Sequence, residues 1–120
     1  MPPVDLETLQ ENARRATALL RAMGNPHRLM ILCQILNGEK NVSELERLIG
    51  LSQSALSQHL ARLRRDRLVQ TRRAAQTIYY SLAGEEAKAV LSTLYSLYCG
   101  DAKTAANGEP DASCDASKAG

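Results

Sequence analysis

Residues 42–63 read VSELERLIGLSQSALSQHLARL, two short helices joined by a tight turn. Ser43 is expected to cap the first helix, with Glu46 three residues on completing a capping box. Gly50 stands where a helix C-terminus needs a residue tolerant of positive φ, and Ser52 opens the second helix. There Leu56, Leu60 and Leu63 fall at i, i+4 and i+7, a stripe covering one face only. At about 100° per residue, the opposite face carries Ser54, Ser57, Gln58, Ala61, Arg62 and Arg65. Short hydroxyls and a planar amide come first, and guanidinium groups follow. A helix lying in a DNA major groove needs this order: small hydrogen-bonding groups for base edges, cations for the flanking phosphates. A surface helix hairpin with a solvated polar face has the same residue types, so the rest of the chain decides between them.

With 120 residues the chain is long enough for one domain with a modest core. Phe and Trp are absent and only four Tyr are present, so Leu, Ile, Val, Ala and Met must fill the interior. The net charge of +2 hides an uneven distribution: residues 62–73 hold six arginines (Arg62, Arg64, Arg65, Arg67, Arg72 and Arg73) against one acid, Asp66. Residues 101–120 carry four acids and two lysines, leaving that tail at −2 and the remainder at +4. A local cationic cluster on a nearly neutral chain predicts a polyanion footprint. The longest apolar run, residues 29–33, is far short of a membrane span, and the first ten residues lack a basic-then-apolar signal pattern. The expected location is the cytoplasm, with no membrane partner, where the three cysteines rest as thiols. An enzyme is not expected: the chain has no glycine-rich phosphate loop and no paired-carboxylate constellation, and neither histidine neighbours a cysteine in sequence.

Taken in order, residues 5–23 predict a helix whose Leu6, Leu9, Ala13, Ala16, Leu20 and Met23 alternate three- and four-residue steps, a seam suited to a second copy of the chain. Gly24 breaks this helix, and Asn25-Pro26 restarts the chain with a cap and a first-turn proline. The next helix, residues 27–36, is apolar on most of its surface and belongs at the centre of the core. After the two helices already described, VQTRR and TIYYSL around AAQ read as a β-hairpin. Ile78, Tyr80 and Leu82 are expected to face inward and Tyr79 and Ser81 outward. Arg72 and Arg73 approach the hairpin tip, where a wing reaches phosphate or minor groove. A last helix, starting at residue 84 or 85 and ending at 99, shows one broad apolar face of Ala87, Val90, Leu91, Leu94, Leu97 and Tyr98. Residues 101–120 are small and polar and predict a disordered tail. The expected class is mainly α with a small β-hairpin, a homodimeric winged helix–turn–helix in residues 1–100.

Asn25-Pro26-His27-Arg28-Leu29, Ser43-Glu44-Leu45, Leu51-Ser52-Gln53-Ser54, Ser57-Gln58-His59-Leu60, Leu68-Val69 and Tyr79-Tyr80-Ser81-Leu82 together resemble the ArsR/SmtB repressors, over about residues 10–99. The resemblance implies a homodimer that binds inverted-repeat, double-stranded operator DNA and is released by an inducer. It places Ser54, Ser57, Gln58 and His59 at DNA; Gln53, Arg62, Arg65, Arg72, Arg73 and Gln76 complete the expected contact set. His59 lies at the flank of the apolar face, where it can brace the core or a phosphate. Family wings usually carry Gly and then a basic residue at the tip; here Ala75 and Gln76 stand there, and Ala tolerates positive φ poorly.

The family's common metal sites are missing from the sequence. The thiol site needs Cys-x-Cys on the first helix of the helix–turn–helix, which here reads SELERLIG; the other needs Asp and His on the last helix, which has neither. No metal or other cofactor is expected. Cys33 shares a helical stripe with Leu29, Leu32 and Leu36, as a small buried hydrophobe would. Paired with Cys99, however, it resembles the dithiol of the BigR/SqrR subgroup, which implies redox sensing by Cys33 and Cys99, with a persulfide, polysulfide or oxidant as inducer. Two alternatives stand beside this: a metal-responsive repressor using Cys33, Cys99 and Cys114, and a dimeric interaction module that no longer reads DNA.

Overall fold

Short polar side chains take up the first orphan N–H groups of four helices in the computed structural model, which describes residues 5–99. The expected tail and Cys114 lie outside those residues. Asp5 accepts from the Thr8 N–H at 2.7 Å ahead of α1 (Leu6–Met23). Asn25 accepts from the N–H groups of His27 and Arg28 ahead of α2 (Pro26–Ile35), with the proline in the first turn as expected. Ser52 accepts from the Ala55 N–H at 3.1 Å and starts α4 (Gln53–Arg65).

The cap of α3 (Val42–Ile49) is not Ser43. Asn41 Oδ1 accepts from the Glu44 N–H at 2.8 Å, and Glu44 Oε1 accepts from the Asn41 N–H at 2.9 Å, so the capping box sits two residues earlier than expected. The cause is a strand that the sequence does not advertise. β1 (Lys40–Asn41) pairs with the hairpin and holds Asn41 extended, at φ −94° and ψ 175°, the backbone an N-cap needs. Gly50 ends α3 at φ +89° as expected.

Helix α4 ends in a Schellman motif without glycine. The Leu68 N–H donates to Leu63 O at 2.9 Å and the Arg67 N–H to Arg64 O at 3.0 Å, while Arg67 adopts φ +65°. Leu68 and Leu63 are both buried, the hydrophobic contact that usually accompanies this motif. The chain then enters β2 (Val69–Ala74) and returns as β3 (Thr77–Leu82), antiparallel, with Ala74 opposite Thr77 and a two-residue turn at Ala75-Gln76. The sheet order is β1-β3-β2. The pleat sets Ile78, Tyr80 and Leu82 on one face and Tyr79 and Ser81 on the other, as expected, but their burial does not alternate. All six β3 residues are half-buried, because the second face is covered too: β1 adds a neighbour and Arg72 lies over Tyr79.

Helix α2 is the hub, touching α1, α3, α4, β3 and α5 (Glu85–Tyr98). Its Ile31, Leu32 and Ile35 join Leu45, Leu56, Leu60, Leu63 and Leu91 as the most deeply buried side chains. Met30 turns outward, so α2 is less enveloped than its composition predicts. The apolar seam of α1 is only partly used: Met23 is buried, whereas Leu6, Leu9 and Leu20 are exposed. The broad face of α5 divides in the same way. Ala87 and Leu91 are buried, but the last turn outruns the core and leaves Leu97 at 66% and Tyr98 at 80% exposure. Among the described residues, no helix is long and apolar enough to cross a membrane.

Candidate nucleic-acid interface

The outward face of α4 follows from its buried one. With Leu56, Leu60 and Leu63 fixed in the core, the helical period leaves Gln53, Ser54, Ser57, Gln58, Ala61, Arg64 and Arg65 exposed. No described residue hydrogen-bonds the Ser54, Ser57 or Gln58 side chains. Beside this face, α4 and β3 enclose a groove of about 460 Å³ lined by Ser57, Leu60, Ala61, Arg64, Arg65 and Tyr80. Arg64 and Tyr80 were absent from the expected contact set. Arg64 stands one residue from a buried leucine, and Tyr80 enters the groove only because β3 packs beside α4.

Three of the expected contacts are held within the chain. Arg62 Nε donates to Asp66 Oδ2 at 2.8 Å, an i, i+4 pair at the end of α4. His59 is half-buried, its ring 5.7 Å from that of His27 on α2. Burial, then the charges of Arg28 and His27, lower the His59 pKa, so the neutral imidazole is favoured. Arg28 is itself anchored, its Nε donating to Ala22 O at 2.7 Å and so closing the end of α1. His59 thus lies in the seam between α2 and α4, at the edge of the apolar stripe.

The third is Arg72 on the wing, whose guanidinium meets Glu39 with two hydrogen bonds, Nε to Oε1 at 3.1 Å and a shorter one to Oε2, and lies 4.8 Å from the Tyr79 ring centroid. Hydrogen bonding from Arg72, with its charge adding to it, holds the Glu39 carboxyl below its usual range. Arg73 is exposed, and no described carboxylate lies within ion-pair distance of it. Gln76 is exposed at the tip, next to Ala75 at φ +58°. The tip therefore adopts the left-handed geometry that glycine would serve better.

The two expected sensing residues occupy one helix pair. Cys33 is half-buried on α2 against the core, and burial pushes its thiol pKa up. Cys99 is half-buried at the C-terminus of α5, and α5 packs on α2. Cys33 is a free thiol; Cys99 is disulfide-bonded, but not to Cys33. Among the described residues, no three His, Cys, Asp or Glu side chains cluster closely enough to hold a metal ion.

The sequence model of the bacterial regulatory proteins of the arsR family matches residues 25–71, from the cap of α2 into β2. The transcriptional activator HlyU of Vibrio cholerae is 52% identical over 97 residues, which cover 81% of this chain and 90% of that protein. The structure of reduced HlyU from Vibrio cholerae superposes with a TM-score of 0.76 at 52% identity, covering 78% of this chain and 99% of the other. The transcriptional repressor BigR from Xylella fastidiosa superposes with a TM-score of 0.73 at 36% identity, covering 80% and 98%.

Proposed function

We propose that this chain, which belongs to the arsR family of bacterial regulatory proteins, is a dimeric transcriptional repressor whose hold on operator DNA is broken by reactive sulfur. Like its relatives it is a transcriptional regulator and not an enzyme. The observation that carries the DNA reading is the α4 face: exposed hydrogen-bonding side chains and unpaired arginines backed by a fully buried leucine stripe. In this reading Ser54, Ser57 and Gln58 meet base edges, while Gln53, Arg64, Arg65, Arg73 and Gln76 meet backbone. The exposed leucines of α1 and the last turn of α5 supply an apolar surface for a second copy. A dimer sets two recognition helices roughly 34 Å apart, one turn of DNA. Occupying an operator requires only these two surfaces, which favours repression.

The switch is assigned to Cys33 and Cys99 in their dithiol form, which is reached when a thiol reductant opens the disulfide that Cys99 carries in the structure. The Cys99 thiolate attacks the outer sulfur of a persulfide, giving a Cys99 persulfide and expelling the original thiolate. Cys33, kept protonated by burial at neutral pH, is the slower nucleophile and resolves the adduct. Its sulfur displaces hydrosulfide and leaves a Cys33–Cys99 bridge, the persulfide having taken up both electrons. Such a bridge ties α5 to α2, and α2 touches α3 and α4, so the strain reaches the recognition helix. The description of one solved relative as reduced fits a thiol chemistry in this group.

The test is polysulfide-dependent release of promoter DNA by Cys33→Ser and Cys99→Ser variants. Loss of the response in each variant, with reduced-state affinity kept, supports the switch. A response that survives either substitution refutes it, and release by zinc alone makes the cysteines metal ligands instead.

A further inference from the structure

The two arginines of the wing look equivalent in sequence, but the strand separates them. In the antiparallel register Arg72 lies opposite Tyr79 and Arg73 opposite Ile78, so their side chains leave opposite faces of the sheet. Arg73 shares its face with Tyr80, which lines the groove beside α4. Arg72 shares the other face with Tyr79, and Tyr79 is also the register partner of Asn41 in β1. Two residues before Asn41, and therefore on that same side, stands Glu39. Its carboxylate takes the Arg72 guanidinium in a bidentate grip, with the Tyr79 ring beneath the cation. Three strands are needed to build this stack, and its acid comes from 33 residues away in sequence.

We propose that Glu39 sets the charge which the wing presents to DNA: it sequesters Arg72 in a neutral pair and leaves Arg73 as the wing's one phosphate-seeking arginine. This rests on the DNA-binding reading and deepens it. A guanidinium already satisfied by a carboxylate and an aromatic face gains little by exchanging them for phosphate, because the abandoned Glu39 would then repel the same backbone. Glu39 is thereby a specificity-determining residue: it limits the sequence-independent ionic attraction of the wing and leaves discrimination to α4.

Counterion release makes the proposal measurable, since each phosphate neutralised contributes about 0.9 to the slope of log affinity against log salt. Binding of the full chain to operator and to random duplex is measured between 50 and 200 mM salt. Glu39→Gln is expected to steepen the slope by about one unit and to tighten random-duplex binding about 3-fold at the low-salt end. The double variant E39Q/R72Q, which deletes the neutral pair, keeps the wild-type slope and affinity. Arg73→Gln flattens the slope by about one unit. A double variant that flattens the slope by about one unit would show Arg72 on phosphate in the wild type and overturn the proposal. So would an E39Q slope equal to wild type, or an unchanged slope in R73Q. Failure of the wild-type chain to bind any duplex at low salt would refute the DNA reading itself, a result separate from all of these. Thermal unfolding of each variant confirms that the fold is intact; the Glu39–Arg72 pair is too exposed for its loss to unfold the domain.

Discussion

The recognition helix and the wing both carry arginines, yet they are built by different rules. In α4 the side that a residue faces is set by helical period alone: three leucines go in and everything opposite comes out. In the wing, the fate of each arginine depends on partners far away in sequence, with Glu39 from before β1 closing on Arg72. One surface is local and rigidly backed. The other is assembled from three strands and has a strained tip. Base reading is expected from the first and adjustable ionic attraction from the second.

The comparison is broken most severely at the buried stripe of α4. Leu60→Ala removes a side chain that is 1% exposed and should cost about 2–5 kcal/mol in urea unfolding, more than any single wing substitution. A cost below about 1 kcal/mol would mean that α4 is not held as described. Next in size is Gln58→Ala, expected to lose about 1–3 kcal/mol of operator affinity relative to random duplex while leaving the salt slope unchanged. An equal loss on both duplexes would move Gln58 from base reading to backbone contact.

Wing strain gives a smaller effect of opposite sign. Ala75→Gly relieves a left-handed alanine at φ +58° and should stabilise the domain by about 0.5–1 kcal/mol in the same unfolding experiment, even after the greater entropy of glycine in the unfolded chain. Destabilisation would show that the tip holds Ala75 without strain. The smallest effect is a pH dependence at the α2–α4 seam. The His59 imidazole has a lower pKa in the fold than in the unfolded chain, so the unfolded state takes up the proton first. Stability is then complete well above pH 6.5 and falls as the pH drops through that value. His59→Gln should flatten this part of the Tm–pH curve, and an unaltered curve would remove His59 from the seam.

These contrasts also explain what the sequence could reveal. The helices, the turn at Gly50, the cap at Ser52, the hairpin and most of the outward set on α4 were legible, because each depends on residues within one or two turns of one another; Arg62, half-buried against Asp66, and the exposed Arg64 were the exceptions. Ser43 was the expected cap of α3, although Asn41-x-x-Glu44 carries the same signature as Ser43-x-x-Glu46. The choice between them was made by β1 pairing with β3, a contact between residues nearly forty positions apart. The same strand created the Glu39–Arg72 stack and covered the outer face of β3. Leu97 and Tyr98 were expected to share the face of Leu91; Tyr98, seven residues on, continues that stripe, whereas Leu97 stands about 120° away from it. The helix, however, extends past the single-chain core that would bury them. His59 was open to two readings from residue type and period, and the structure sets its ring beside that of His27 on α2.

The most direct test of the account is fluorescence anisotropy of the chain on its own promoter DNA, at fixed salt, with fully reduced and polysulfide-treated protein side by side. The account predicts tight operator binding by the reduced protein, a loss of at least 5-fold after polysulfide, on the order of the 1–3 kcal/mol typical of coupled sites, and full recovery with reductant. Equal affinity in both states, with operator still preferred over random duplex, would leave the α4 face intact and contradict the thiol switch at Cys33 and Cys99.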